Sequence, residues 1–225
     1  MGRAAQGPSF LYMRKNEFPG LFIALEGIDR SGKHTQGERI TGLLRERGVS
    51  VLFTGEPWWG KKTEKDKQLE RIIGNREALG PKDIQVLFVD NRARHLSDEM
   101  LPALGAGRAV ACERYFFSTL AYGAVTGAAT REELTALHEQ MPGFITPDIT
   151  FLFDIPAEVA ISRLRRGPDI FERKALLSRV REEYRSLAKS FPDVTTVIID
   201  GTPSEDAVFA VVVPHLEKAL REKSA

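Results

Sequence analysis

The sequence predicts an α/β protein built on a parallel sheet. Three observations carry that expectation: five short apolar runs, helix-period stretches between them, and a glycine-bounded loop directly after the first run. The runs are residues 21–25, 49–53, 109–112, 149–153 and 194–199. They are continuous rather than alternating, as strands covered on both faces require. Strands that alternate with helices imply parallel pairing through right-handed crossovers.

The helical stretches follow in order. Ile84, Leu87 and Phe88 have i, i+3, i+4 spacing behind Pro81, which suits a first helical turn. Thr130 and Glu133 form a capping box ahead of Leu134, Leu137 and Met141. Leu176, Leu177, Val180, Tyr184, Leu187 and Phe191 mark one stripe of a long helix. Thr202 and Glu205 read as a second box before the last helix, which Pro214 is expected to kink or interrupt. Residues 1–19 show no period and read as a flexible leader. Residues 20–225 read as a single domain, with no repeat or linker to split them.

Composition narrows the classes. A chain of 225 residues can bury a full core without staples. The single cysteine, Cys112, excludes a disulfide scaffold and fits a reducing compartment. The 32 basic and 31 acidic residues balance, so bulk charge does not advertise a nucleic-acid binder. No apolar run approaches the ~18 residues of a membrane span. No apolar block follows residues 1–5, so no secretory signal is read and the cytoplasm is the expected location.

The sharpest feature is residues 27–35, Gly27-Ile28-Asp29-Arg30-Ser31-Gly32-Lys33-His34-Thr35. The spacing from Gly27 to Gly32 and Lys33 is that of a phosphate-binding loop between a strand and a helix. Glycines let several backbone N–H groups converge on one anion, and the positive end of the helix starting at about Lys33 faces the same point. Lys33 adds a full charge for the terminal phosphates. All nine residues are therefore candidates for contact with a nucleotide. His34 departs from the pattern, which has Ser or Thr there. A hydroxyl normally ligates Mg²⁺, and imidazole is a poorer ligand for so hard an ion. Thr35 comes one residue late. His34 is read as a spectator or a water-mediated contact.

With this loop in place, the chain resembles the thymidylate kinases. The resemblance runs through residues 25–33, Gly55-Glu56-Pro57, 88–95, Glu113-Arg114-Tyr115, Ala121-Tyr122, Pro147-Asp148 and the Arg-rich segment 163–173, covering about residues 20–220. It implies a three-layer P-loop kinase fold: a five-stranded parallel sheet flanked by helices, with a short lid at about 163–173. It also implies a homodimer that moves the γ-phosphoryl group of ATP to dTMP, giving dTDP, with Mg²⁺.

Laid onto this sequence, the resemblance assigns roles. Phe88 would stack on thymine and Arg92 would donate to its O4 edge. By periodicity alone, Phe88 belongs to the Ile84–Leu87 core stripe and Arg92 to the solvated face. Arg71 and Arg114 would hold the acceptor phosphate against its partner, and Glu56 and Pro57 count among the substrate-binding residues. Asp29 would accept from the sugar 3′-hydroxyl, although a turn Asp reads equally well locally. Tyr122 would sit near C2′, or pack in the core. Glu113 stands where the family has Asp and would anchor Mg²⁺, compensating for His34. Lys33, Arg30, Arg114 and Arg166 are the catalytic candidates, with Arg30 ranked ahead of Arg166 of the lid cluster Arg163, Arg165 and Arg166. Trp58 and Trp59 replace glycines common in one branch, and read equally as pocket shield, partner surface or core cover. Cys112 is expected inside a strand. His95, His138 and His215 show no metal spacing. The rival readings are a kinase for another pyrimidine deoxynucleoside monophosphate, and a nucleotide-binding homologue with impaired catalysis.

Overall fold

The computed structural model describes residues 13–163 and 174–224. Five strands form one parallel sheet: β1 Phe22–Glu26, β2 Val51–Gly55, β3 Ala109–Glu113, β4 Ile149–Asp154 and β5 Thr196–Asp200, in the order β2-β3-β1-β4-β5. All five expected strands form. Phe22 and Ala24 of β1 face one core layer with Val110, Cys112 and Leu152; Ile23 and Leu25 face the other with Ala111, Phe151 and Phe153. Burial of β1, β3 and β4 on both faces is why their runs carry no alternation, while the edge strands β2 and β5 are only partly covered.

Helices cover each face. On one side α1 (Lys33–Glu46) and α9 (Glu205–Ser224) pack Ile40, Leu44, Val208, Val212 and Leu216 against the sheet. On the other lie α4 (Leu101–Gly105), α5 (Phe116–Thr126), α6 (Arg131–Glu139), α7 (Ala157–Ser162) and α8 (Lys174–Ser190). α2 (Glu64–Ile73) and α3 (Pro81–His95) share a smaller apolar cluster of Leu69, Ile72, Ile84 and Leu87. A π-helical turn, Leu96–Met100, joins α3 to α4.

The Thr130–Glu133 capping box forms at α6 as expected. The Thr202–Glu205 box does not. Thr202 turns back onto Asp200, donating to Oδ1 through both its N–H (2.9 Å) and its hydroxyl (2.7 Å). Ser204 Oγ accepts from Ala207 N–H instead (3.3 Å). α9 runs through Pro214 without ending, because Val212 and Leu216 stay buried on either side of it. The described part of the N-terminal stretch is tied to the body. Asn16 is buried and donates to Gly20 O and Asp148 Oδ2, and Thr146 N–H donates to Arg14 O. Asp148 also accepts from Phe22 N–H and Lys223 Nζ, so it knots this stretch to β1 and α9.

β1 lies between β3 and β4, and the chain leaves β1 toward β2 but leaves β3 toward β4. Such a reversal opens a crevice at the carboxyl ends of the strands. The loop after β1 and the Glu113–Arg114 corner after β3 both fall there.

Candidate active site

The loop after β1 is shaped by two glycines. Gly27 has φ 135°, and a Cβ there would lie 2.4 Å from Phe153 O; Gly32 has φ 95°. No other residue type fits the first position. Arg30 also takes a left-handed φ of 64°, a conformation that costs a side-chain-bearing residue about 1 kcal/mol or more. α1 then starts at Lys33, with no side chain capping it. Lys33 is buried, and its Nζ donates to Ile28 O at 2.8 Å. Burial pulls its ammonium below the ordinary lysine range, while the nearby Glu113 and Glu26 carboxylates pull it back up.

Two pockets meet at this loop. The first is an open cleft lined by Asp29 through Gln36, by Glu113, and by Arg163, Gly201, Pro203, Ser204, Glu205 and Val208. Arg163 braces it, donating to Arg30 O at 3.1 Å and Gly201 O at 3.0 Å. Arg165 and Arg166, with the remainder of the expected lid, lie outside the described residues. The second pocket is smaller and more apolar. Phe88, Pro57, Ile73 and Tyr122 line it together with Asp29, Glu56, Gln85, Arg92, Arg114, Ser118 and Thr119. Asp29 belongs to both. It pairs with Arg114, whose guanidinium lies over the Tyr122 ring, and the Tyr122 hydroxyl donates to Asp29 Oδ2 at 3.5 Å.

Arg114 has φ 65° and its N–H donates to Leu25 O at 2.8 Å. The turn after it is held by Glu26, which sequence reasoning passed over. Glu26 is buried beneath the loop and accepts from Tyr115 N–H, Ser118 N–H, Ser118 Oγ and Tyr184 OH. Burial raises its carboxyl above the ordinary range, against the pull of Ser118 and Arg114.

Arg92 is not placed as a solvated residue. It is fully buried, and each of its five N–H donors already has a protein acceptor. Nε and NH2 donate to Glu56 Oε2, NH2 also to Tyr115 O (2.9 Å), and NH1 to Thr119 Oγ1 (2.9 Å) and His138 Nε2 (2.6 Å). The expected donation to a base O4 therefore has no N–H left in this arrangement. Burial alone would raise the Glu56 carboxyl, but Arg92, with a hydrogen bond from His95, carries it below the usual range. Phe88 serves both readings made of it: it packs on the α2–α3 cluster and lines the pocket. Arg71 is exposed, donates to Glu77 Oε2 at 2.7 Å, and lines neither pocket.

His138 is the acceptor that completes the Arg92 shell. Its Nδ1 donates to Leu134 O, and burial beside Arg92 lowers its pKa to about 3. The folded chain thus refuses a proton that the unfolded chain takes up near pH 6.5. Stability conferred by this group is full above pH 6.5 and falls as the pH drops toward 3, by about 1.4 kcal/mol per unit. Urea titrations between pH 6 and 4 should show that extra slope in the wild type and not in His138→Gln, whose amide oxygen still accepts from Arg92. Equal slopes would exclude it.

Trp58 is bound through its backbone to the Asn91 side chain in both directions, 2.7 and 2.8 Å, and its ring stacks on His95 at 5.6 Å. Trp59 is exposed, with Lys62 Nζ 5.2 Å above its ring. Of the readings left open, Trp58 covers buried polar groups beside the pocket. Glu56, His95 and Cys112 place potential ligand atoms within 4.8 Å of one another, a grouping their sequence positions conceal. Glu56 is committed to Arg92, and the Cys112 thiol, pushed up by burial, donates to Arg114 O at 3.1 Å.

His34 and Glu113, the two departures noted in the sequence, face each other: Nδ1 lies 3.1 Å from Glu113 Oε2. His34 is exposed, with Glu38 at 3.6 Å on its other nitrogen. As a donor set for Mg²⁺, the Glu113 carboxylate fits a hard cation beside phosphate oxygens, and His34 fits as its hydrogen-bond partner rather than as the ligand.

A strand, a glycine loop and a helix carrying a buried Lys, set at the switch point of a parallel sheet, define a P-loop nucleotide-binding protein. Residues 25–212 match the thymidylate kinase family. The chain is 37% identical over 206 residues to the thymidylate kinase of Dinoroseobacter shibae, covering 89% of this chain and 98% of that one. It is 35% identical over 208 residues to those of Pseudomonas savastanoi pv. phaseolicola (90% and 99%) and Thermomicrobium roseum (89% and 98%). The chain belongs to the thymidylate kinase family.

Proposed function

We propose that the protein transfers the γ-phosphoryl group of ATP to dTMP, giving dTDP and ADP. Family membership supports the activity. The observation that carries the division of labour is the junction at Asp29, where a polar phosphate-loop cleft meets an apolar pocket walled by Phe88. In this reading the backbone of residues 27–35 and Lys33 bind the ATP phosphates, and Phe88, Pro57 and Tyr122 enclose the acceptor nucleoside. Arg114 presents the acceptor phosphate and Asp29 accepts from its sugar hydroxyl. Phosphoryl transfer needs no covalent intermediate, only alignment and charge neutralisation. Arg30 supplies charge to the transferring group, with Arg166 as the lid's contribution. Glu56 and Arg92 act by holding the pocket wall, and Arg71, outside both pockets here, would have to leave Glu77 to reach the acceptor phosphate.

Glu113 would hold Mg²⁺, which supplies charge neutralisation on the phosphates when bound, and His34 would orient Glu113. Glu113→Gln should weaken the apparent Mg²⁺ affinity by at least about 10-fold in a titration of activity, since even loss of an outer-shell partner costs that much. A variant matching the wild type in rate and Mg²⁺ dependence would remove Glu113 from this role. Among the described residues no helix is long and apolar enough to cross a membrane. A cytoplasmic homodimer completes the reading.

The test is a coupled assay of ADP release with dTMP, dUMP, dCMP and dGMP. The expected result is turnover with a clear preference for dTMP. Faster turnover of another monophosphate would replace the substrate, and ATP binding without turnover would make the chain a catalytically impaired relative.

A further inference from the structure

We propose that Gln85, a residue no sequence signal marked, reads the hydrogen-bonding edge of the acceptor base. The inference rests on the dTMP kinase reading and deepens it. Gln85, Phe88 and Arg92 sit at i, i+3 and i+7 on α3 and share one face of that helix. All three line the apolar pocket. Arg92 has every donor committed to Glu56, Tyr115, Thr119 and His138, so the fork expected to address the base is spent inside the protein. Gln85 is the reverse case. It is only 3% exposed, yet among the described residues its carboxamide has no hydrogen-bond partner.

A buried, unpaired carboxamide is costly unless something else satisfies it. Nor is the group sealed in. Among the described residues, the buried side-chain atoms with no partner and no accessible surface are Gln36 Oε1, Thr135 Oγ1 and Thr150 Oγ1, and neither Gln85 atom is among them. Its polar end therefore reaches open space, and the pocket is the space that Gln85 lines. Gly123 makes room for the stem: a Cβ there would lie 3.3 Å from Gln85 Cγ. A carboxamide carries one acceptor and two donors on adjacent atoms. An oxo-pyrimidine edge presents an N3–H beside a C4 carbonyl. Gln85 Oε1 accepts from the first while Nε2 donates to the second, with Phe88 supplying the flat face for the ring.

The experiment is a ligand cycle on the full chain, read by calorimetry. Wild type and Gln85→Met are each titrated with dTMP and with N3-methyl-dTMP, whose methyl group removes the donor. dTMP affinity should fall about 10–100-fold in the variant, as when a built hydrogen-bond pair is lost. N3-methyl-dTMP should bind the two proteins within about threefold. The affinity for a non-hydrolysable ATP analogue and the thermal midpoint should be unchanged. Should Gln85→Met fold poorly, Gln85→Leu takes its place. Equal dTMP affinity in wild type and variant, or an equal loss for both probes, overturns the proposal while leaving the kinase reading intact. Failure of the wild type to bind dTMP at all sinks both.

Discussion

Lys33→Met should lower kcat by about 10²–10³-fold while leaving dTMP binding and the fold in place. The magnitude is that of removing one preorganised donor from a site where charge develops. The physical case rests on burial. The Lys33 ammonium sits inside the loop, bonded to Ile28 O, and is drawn below its ordinary pKa by desolvation. Its burial therefore opposes folding, and Met fills the same volume without a charge to desolvate. A thermal midpoint held within a few degrees, together with collapsed turnover, separates this loss from unfolding. Single-turnover kinetics with saturating ATP and dTMP make the measurement. Retention of the wild-type rate would show that the loop amides suffice without the lysine.

Glu56→Gln should destabilise the fold strongly. Arg92 is fully buried, and Glu56 is its carboxylate partner, through Nε and NH2. Removing the negative charge leaves a guanidinium inside the protein without compensation, at a cost of about 3–5 kcal/mol. For a domain of this size that is a fall in Tm of roughly 10 °C. The control is the double replacement Glu56→Leu with Arg92→Leu. Two apolar groups leave no buried charge, so the double variant should be more stable than Glu56→Gln alone, the non-additive result expected of direct partners. Calorimetric melting of both variants decides it. A Glu56→Gln protein melting with the wild type would mean that Glu26, the other carboxylate near Arg92, carries the compensation.

β1, β3 and β4 were legible because burial on both faces leaves unbroken apolar runs, whereas the edge strands β2 and β5 are only partly covered. The strand ends were less legible. Four of the five strands close on Glu26, Glu113, Asp154 and Asp200, polar residues that an apolar count stops short of. α5 was invisible for the opposite reason. From Phe116 to Gly123 every residue is buried, so no polar face generates a helical period. α2 carries a capping box closed by Asp66 rather than Glu, and was not recognised. At α9 two hydroxyls lie two residues apart, and which of them caps depends on Asp200 claiming Thr202.

The phosphate loop was legible because its chemistry is local: the glycines, Lys33 and the flanking elements are contiguous. The fate of Arg92 was not. It depends on Glu56, Thr119 and His138, which reach it from three other segments of the chain. The same holds for Gln85, whose meaning comes from the lack of a partner among the described residues, and for Glu26, whose hydrogen-bond donors come from α5 and α8. His34 and Glu113 were each noticed as departures, and their 3.1 Å contact ties them together.

In the proposed reaction two nucleotides meet across Asp29, where the two pockets join. A crystal structure of the protein with dTMP and a non-hydrolysable ATP analogue decides whether they do. The expected result places the analogue's phosphates on the amides of residues 27–33 and the pyrimidine against Phe88. An empty phosphate loop, or a pyrimidine bound away from Phe88, would contradict it.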